Sequence, residues 1–161
     1  MPKKITPKEL AGQINEILSL RNWDIDPNLP NLRFCGTLEQ CSESAVCLRY
    51  RTYSWMANPN RVVHGGMVSA ILDTSMGTVC CALYEGGFTP TITMTTNYAR
   101  PVPLDADIIV KVRYSYTGST SAQLSAELIL AEAPDTILAT ATGVYHTGKT
   151  DTLKLKDLLP D

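Results

Sequence analysis

His64-Gly65-Gly66-Met67-Val68-Ser69-Ala70-Ile71-Leu72-Asp73-Thr74-Ser75-Met76-Gly77-Thr78-Val79-Cys80-Cys81-Ala82-Leu83-Tyr84 decides how the rest of this chain must fold. Two glycines open the stretch and Glu85-Gly86-Gly87 closes it, which bounds a helix. Met67, Val68, Ala70, Ile71 and Leu72 already cover most of its circumference. A helix apolar nearly all round is buried, either in a core or in a membrane. Asp73, Thr74 and Ser75 interrupt the run, so no span of roughly 18–20 apolar residues remains to cross a bilayer. The expectation is a soluble fold, away from any membrane, that wraps this helix. A carboxylate in the middle of such a helix then needs a purpose.

Composition narrows the classes. A chain of 161 residues, 44% of them hydrophobic, suits one domain with a core large enough to need neither disulfides nor metal. A net charge of −2 gives no electrostatic case for nucleic acid or an anionic membrane surface. The five cysteines, Cys35, Cys41, Cys47, Cys80 and Cys81, are odd in number and contain no C-x-x-C pair. With only His64 and His146 beside them, zinc-ligand spacing is absent too. Buried thiols in a reducing, cytoplasmic compartment are the expectation, with no metal and no cofactor. Met1-Pro2-Lys3-Lys4-Ile5-Thr6-Pro7 leads into no apolar segment of the secretory kind.

Outward from the helix, the periods change. On the N-terminal side, Leu10, Ile14, Ile17 and Leu18 recur at helical spacing after Thr6-Pro7, and Asp26-Pro27-Asn28-Leu29-Pro30-Asn31 breaks that region off. Residues 32–43 and 45–53 read as two strands of a hairpin, turning at Cys41-Ser42-Glu43-Ser44. Residues 55–63, with Asn58-Pro59-Asn60, form a loop into the central helix. On the C-terminal side, residues 91–98 alternate as a strand and stop before Pro101 and Pro103. Residues 107–116, 121–130 and 136–146 alternate likewise, with turns at Gly118-Ser119-Thr120 and Ala133-Pro134-Asp135. Three strands joined by tight turns, with a fourth before them, are expected as an antiparallel meander. Residues 1–30 are thus an N-terminal helix and linker, 31–148 the main domain and 149–161 a polar tail. The class is α+β: an antiparallel sheet of about six strands curled around one long helix leaves no apolar stripe uncovered.

The chemistry concentrates in Asn58-x5-His64-Gly65-Gly66-x6-Asp73. Glycines at a helix start let a ligand approach the backbone without Cβ interference. First-turn N–H groups lack intrahelical partners and sit at the positive end of the macrodipole, ready for an oxygen that becomes negative during reaction. Asn58 and His64 add polar side chains at the same end. Taken singly, each residue also has a structural reading. Asp73 could bond Thr74, Ser75 or a facing backbone, His64 a carbonyl, and Asn58 before Pro59 is a natural turn residue.

Together with Asn97-Tyr98-Ala99-Arg100-Pro101-Val102, this constellation resembles the hotdog-fold acyl-CoA thioesterases of the phenylacetate-type (PaaI-like) branch, over about residues 35–147. The resemblance implies that the central helix lies inside a curved sheet and that backbone N–H beyond His64-Gly65 polarises a thioester carbonyl. Gly66 is the leading donor, and Gly65 permits close approach. It implies that Asp73 acts as general base or as nucleophile, that Asn58 and His64 position carbonyl and water, and that Thr91 on the following strand assists the carboxylate. It also departs in two places. Relatives often have glycine where this chain has Asn60, so a left-handed Asn60 is expected there. Relatives often place a cation after the turn glycine equivalent to Gly118, where Ser119 and Thr120 stand here. Arg61 and Arg100 are then the candidates for the coenzyme phosphates.

Spacing adds one argument of its own. Gly66 and Asp73 are seven residues apart on one helix, about 10.5 Å along its axis. One Asp side chain cannot bridge that gap to a carbonyl held beyond the N-terminus. An Asp73 that works there comes from a second protomer, so a homodimer, extended to a homotetramer in the expected assembly, is the implied state. The partners expected are an acyl-CoA substrate and further copies of the chain, with no nucleic acid. The competing reading is a non-catalytic acyl-CoA-binding hotdog module, a sensor or accessory subunit.

Overall fold

The computed structural model describes residues 5–21 and 34–148. Helix α1 spans Pro7–Arg21. Thr6 caps it: Glu9 Oε2 accepts from the Thr6 N–H at 2.9 Å, and the Glu9 N–H reaches back to Thr6 Oγ1 at 3.3 Å. This reciprocal pair, with proline at the first helical position, is a strong local start signal. Leu10, Ile14, Ile17 and Leu18 are all buried, as their spacing predicts, and α1 packs against both the central helix and the first strand.

Strands β1 (Thr37–Cys41) and β2 (Val46–Arg51) form the expected hairpin. Helix α2 occupies Gly65–Leu83, and β3 (Thr91–Tyr98), β4 (Asp107–Thr117), β5 (Ser121–Leu130) and β6 (Ala133–His146) follow. They form one antiparallel sheet in the order β1-β2-β4-β5-β6-β3. The sheet curls around α2, which contacts β3, β4, β5 and β6. This is the hotdog arrangement. Ile108, Val110 and Val112 of β4 and Leu124, Ala126 and Leu128 of β5 alternate inward onto α2, and their Lys111, Arg113 and Glu127 neighbours point outward.

Two expectations about the strands need correcting. β3 does not lie beside β4: it pairs with β6 at the far edge, and only β4-β5-β6 is a meander. Residues 99–106 carry the chain across the sheet, and Thr52 anchors that crossing. Its buried hydroxyl donates to the Pro103 carbonyl at 2.9 Å and accepts from the Ala106 N–H at 3.0 Å. The turn before β6 falls at residues 131–132, so Ala133-Pro134-Asp135 already belong to the strand. Proline is tolerated there because it sits at the strand's first residues, where a missing donor disturbs little.

α2 is also more apolar than its Asp73-Thr74-Ser75 interruption implies. By length and composition alone Gly65–Leu83 is long and apolar enough to cross a bilayer. The fold uses that hydrophobicity internally: Val68, Ile71, Leu72, Met76, Val79 and Cys80 are at most 2% exposed against the sheet. The cysteines form no disulfide, but they are not uniformly buried as expected. Cys80 and Cys81 are buried, Cys41 and Cys47 are half-buried, and Cys35 is exposed. The expected linker after α1, up to residue 30, the first residues of the expected main domain up to 33, and the tail, residues 149–161, lie outside the described residues.

Candidate active site

The loop before α2 is built by Asn58. Its Oδ1 accepts from the Asn60 N–H at 2.9 Å and the Val62 N–H at 3.3 Å, a side-chain turn that short amides make readily. The left-handed residue there is Arg61, φ 59°, and not Asn60. Asn58 thereby holds the turn, with its Oδ1 already engaged. The loop is tied to the β3–β4 crossing by the Val63 N–H on the Val102 carbonyl at 2.9 Å. That bond sets the segments carrying Arg61 and Arg100 side by side. Arg61 is exposed, and the Arg100 guanidinium donates to the Ile137 carbonyl at 2.7 Å.

His64 is the N-cap of α2. Its Nδ1 accepts from the Gly66 N–H at 2.9 Å, which assigns the ring proton to Nε2 in this geometry. The His64 carbonyl accepts from Met67 N–H at 2.9 Å and Val68 N–H at 3.1 Å. The Val68 bond is the first regular turn of the helix; of the four donors before it, those of His64, Gly66 and Met67 have partners, His64 N–H on the Met56 carbonyl at 2.8 Å. The Gly65 N–H has none among the described residues. This differs from the expectation that Gly66 offers the leading donor. A histidine at the cap folds back on the second helical residue and takes that N–H for itself. Glycine at 66 makes room for the ring, since a Cβ there would lie 3.1 Å from His64 Nδ1. Beside them, Tyr98 bridges β3 to the helix start: its hydroxyl donates to the Gly65 carbonyl at 3.2 Å and lies 2.6 Å from Ser69 Oγ.

Two turns further along, Asp73 is half-buried and faces the β3–β6 ladder. Thr91 Oγ1 donates to its Oδ1 at 2.8 Å, so the structure brings these two expected site residues together. A residue that the sequence did not single out joins them. Tyr145, fully buried on β6, donates its hydroxyl to the same Oδ1 at 2.9 Å. Thr91 and Tyr145 are direct cross-strand partners, which puts both hydroxyls on one face. Asp73 Oδ2 accepts no hydrogen bond among the described residues. Burial, reinforced by the adjacent Asp73 charge, raises the Tyr145 phenol well above its ordinary range. It stays a donor wherever the protein is folded and near neutral pH.

Asp73 opens onto a cleft of about 350 Å³ lined by Gly77, Cys81, Phe88, Thr91 and Tyr145. Glycine at 77 and the small Cys81 leave the groove open along α2, and Phe88 walls it from the loop before β3. Burial pushes the neighbouring Cys80 thiol up to about 12, so it is no nucleophile at neutral pH. A second, polar cleft of about 490 Å³ lies by Arg49, Arg51 and Asp107. Its cations are matched internally: Arg49 binds Glu39 at 2.6 Å and Arg51 binds Asp107 at 2.9 Å. The site therefore offers a free N–H at a helix start and, about 12 Å of axial rise away, a carboxylate with one free oxygen.

Residues 60–150 match the family model of the thioesterase superfamily, more than half of the chain and including His64, Gly65, Gly66, Asp73, Thr91 and Tyr145. The chain belongs to the thioesterase superfamily. Solved structures repeat its fold. A hypothetical thioesterase from Streptococcus pneumoniae, solved with coenzyme A, is 21% identical over 71% of this chain and 90% of its own, with a TM-score of 0.62. Zebrafish thioesterase superfamily member 2 is 14% identical over 90% of this chain and 100% of its own, TM-score 0.70. The Escherichia coli PaaI protein of the phenylacetic acid degradation operon is 14% identical over 83% of this chain and 94% of its own, TM-score 0.65.

Proposed function

We propose that this superfamily member hydrolyses an acyl-CoA thioester to the free acid and CoA. The observation that carries the reading is the pairing of the unpartnered Gly65 N–H at the α2 N-terminus with the hydroxyl-held carboxylate of Asp73. The thioester carbonyl oxygen accepts from the Gly65 N–H. When water, or Asp73 itself, attacks the carbonyl carbon, the oxygen gains negative charge, and a preorganised donor at the positive end of a helix stabilises it. As a base, Asp73 takes the proton of the attacking water; as a nucleophile, it forms an anhydride that water then opens. In either course the C–S bond breaks and the thiol of CoA leaves. Asn58 holds the loop, and His64 frames the opening with its Nε2–H. Coenzyme A in the pneumococcal neighbour supports the ligand class. Arg61 and Arg100 are the cations proposed for its phosphates, and the cytoplasm, where acyl-CoA is made and used, is the proposed setting.

Hydrolysis is tested with a panel of short, medium, long and aryl acyl-CoAs and detection of released thiol. Turnover of at least one class is expected. Tight binding of every acyl-CoA without thiol release would replace the enzyme with a binding module.

Gly65 and Asp73 on one α2 are too far apart to share a carbonyl, so the proposed site combines Gly65 of one protomer with Asp73 of another. β3 is an edge strand, TITMTTNY, with no charge and with Ile92 and Tyr98 exposed. Edges of that kind pair unless blunted. Sedimentation at micromolar concentration is expected to show a dimer or its tetramer. A monomer that turns over acyl-CoA would overturn the two-chain site.

A further inference from the structure

Tyr145 stands where the sequence pattern makes space for it. The inward face of β6 runs Ala139, Ala141, Gly143, Tyr145. The first three are small where α2 comes close, and a Cβ on Gly143 would lie 2.9 Å from the Tyr145 ring. Gly77 on α2 faces the other side of the same ring, and a Cβ there would lie 3.7 Å from it. Two glycines from two elements thus leave a slot for a large ring. The ring's hydroxyl emerges at Asp73 Oδ1, 2.9 Å away, with the Asp73 carbonyl at 3.4 Å. A tyrosine that only filled the core would need one acceptor for its hydroxyl, and a backbone carbonyl would serve. This one reaches a carboxylate, and on the oxygen already held by Thr91.

We propose that Tyr145 is a positioning residue for the Asp73 carboxylate: with Thr91 it fixes Oδ1 and leaves Oδ2 as the oxygen that meets water or the thioester. The proposal rests on the hydrolytic reading of Asp73 given above. Two donors converging on one oxygen fix both the position and the rotation of the carboxylate, so the remaining oxygen has one direction in which to act. The titratable groups facing Asp73 are few. β6 supplies Tyr145, α2 supplies Cys81 on the cleft wall with Cys80 behind it, and β3 supplies only the neutral Thr91. Among the described residues, no cation lines the cleft. Hydroxyls therefore take the place that an arginine holds at many carboxylates.

Tyr145→Phe removes the hydroxyl and keeps the ring in its slot. With the best acyl-CoA, kcat is expected to fall about 10- to 100-fold with KM unchanged. The melting temperature is expected to stay close to wild type, because the ring still fills its slot. A structural role would lower the folded fraction and leave the kcat and KM of the folded protein unmoved. Activity within twofold of wild type, or a loss that only tracks the fraction of folded protein, would overturn the proposal. Should Tyr145→Phe fold poorly, 3-fluorotyrosine at 145 keeps the ring and makes a stronger donor. A stronger donor draws charge from the carboxylate, so kcat is then expected to fall severalfold at unchanged KM, and an unmoved kcat would overturn the proposal equally. Asp73→Asn separates the two levels. If that variant still turns over, the hydrolytic reading of Asp73 fails. If it is inactive while Tyr145→Phe behaves as wild type, only the role of Tyr145 fails.

Discussion

Asp73→Asn is expected to leave a folded protein whose kcat is lower by about 10²- to 10⁴-fold, the range over which a positioned general base contributes. The structure makes this substitution unusually clean. Both donors, Thr91 Oγ1 and Tyr145 Oη, bond the same oxygen, Oδ1. An asparagine presents its own oxygen to them and places its NH2 where Oδ2 stood. The hydrogen bonds that hold the side chain persist, and only the charge and the free basic oxygen are lost. Melting temperature close to wild type with kcat reduced and KM little changed is the expected pattern. Turnover within a few-fold of wild type would return Asp73 to a purely structural role.

Gly65→Pro deletes the one first-turn donor without an internal partner and is expected to cost at least about a hundredfold in kcat, as for the loss of an oxyanion donor worth about 2.7–4 kcal/mol. Proline suits the first position of a helix, where no intrahelical bond uses its N–H. The residue before a proline must be extended, and His64, at φ −59° and ψ 136°, already is. Gly65 has no positive φ, and a Cβ there would meet the Tyr98 ring at 3.5 Å, ordinary contact. Circular dichroism and sedimentation are therefore expected to match wild type. Gly65→Ala keeps the N–H and serves as the control, with a much smaller loss. A Gly65→Pro variant as active as wild type would mean that the carbonyl is polarised elsewhere.

The choice of Gly65 over Gly66 marks where the sequence stopped being informative. His-Gly-Gly before an all-round apolar run locates a helix start and its open donors, because both follow from local backbone rules. Which donor stays open depends on a side-chain rotamer, the turn of His64 back onto Gly66. The same division runs through the fold. Leu10, Ile14, Ile17 and Leu18 announce a packed helix by period alone, and the alternation in β4 and β5 announces their inward faces. The place of β3 beside β6 is a long-range pairing. No local pattern in Thr91–Tyr98 specifies its neighbour, and adjacency in sequence pointed to β4 instead. Asp73 was legible because a carboxylate in an apolar helix is costly without a purpose. Tyr145 was not, although the small residues at 139, 141 and 143 leading to it were a usable signal. Its role exists only once β3 and β6 pair and set it opposite Thr91.

Subunit exchange between Asp73→Asn and Gly65→Pro tests the two-chain site most directly. Each variant alone is expected to be nearly inactive. In a mixed dimer, the Asp73→Asn chain contributes an intact Gly65 and the Gly65→Pro chain an intact Asp73, so one of the two sites is whole. Chains pairing at random are then expected to recover about a quarter of the wild-type rate. Mixed dimers demonstrated by native mass spectrometry that show no recovery would contradict a site shared between protomers.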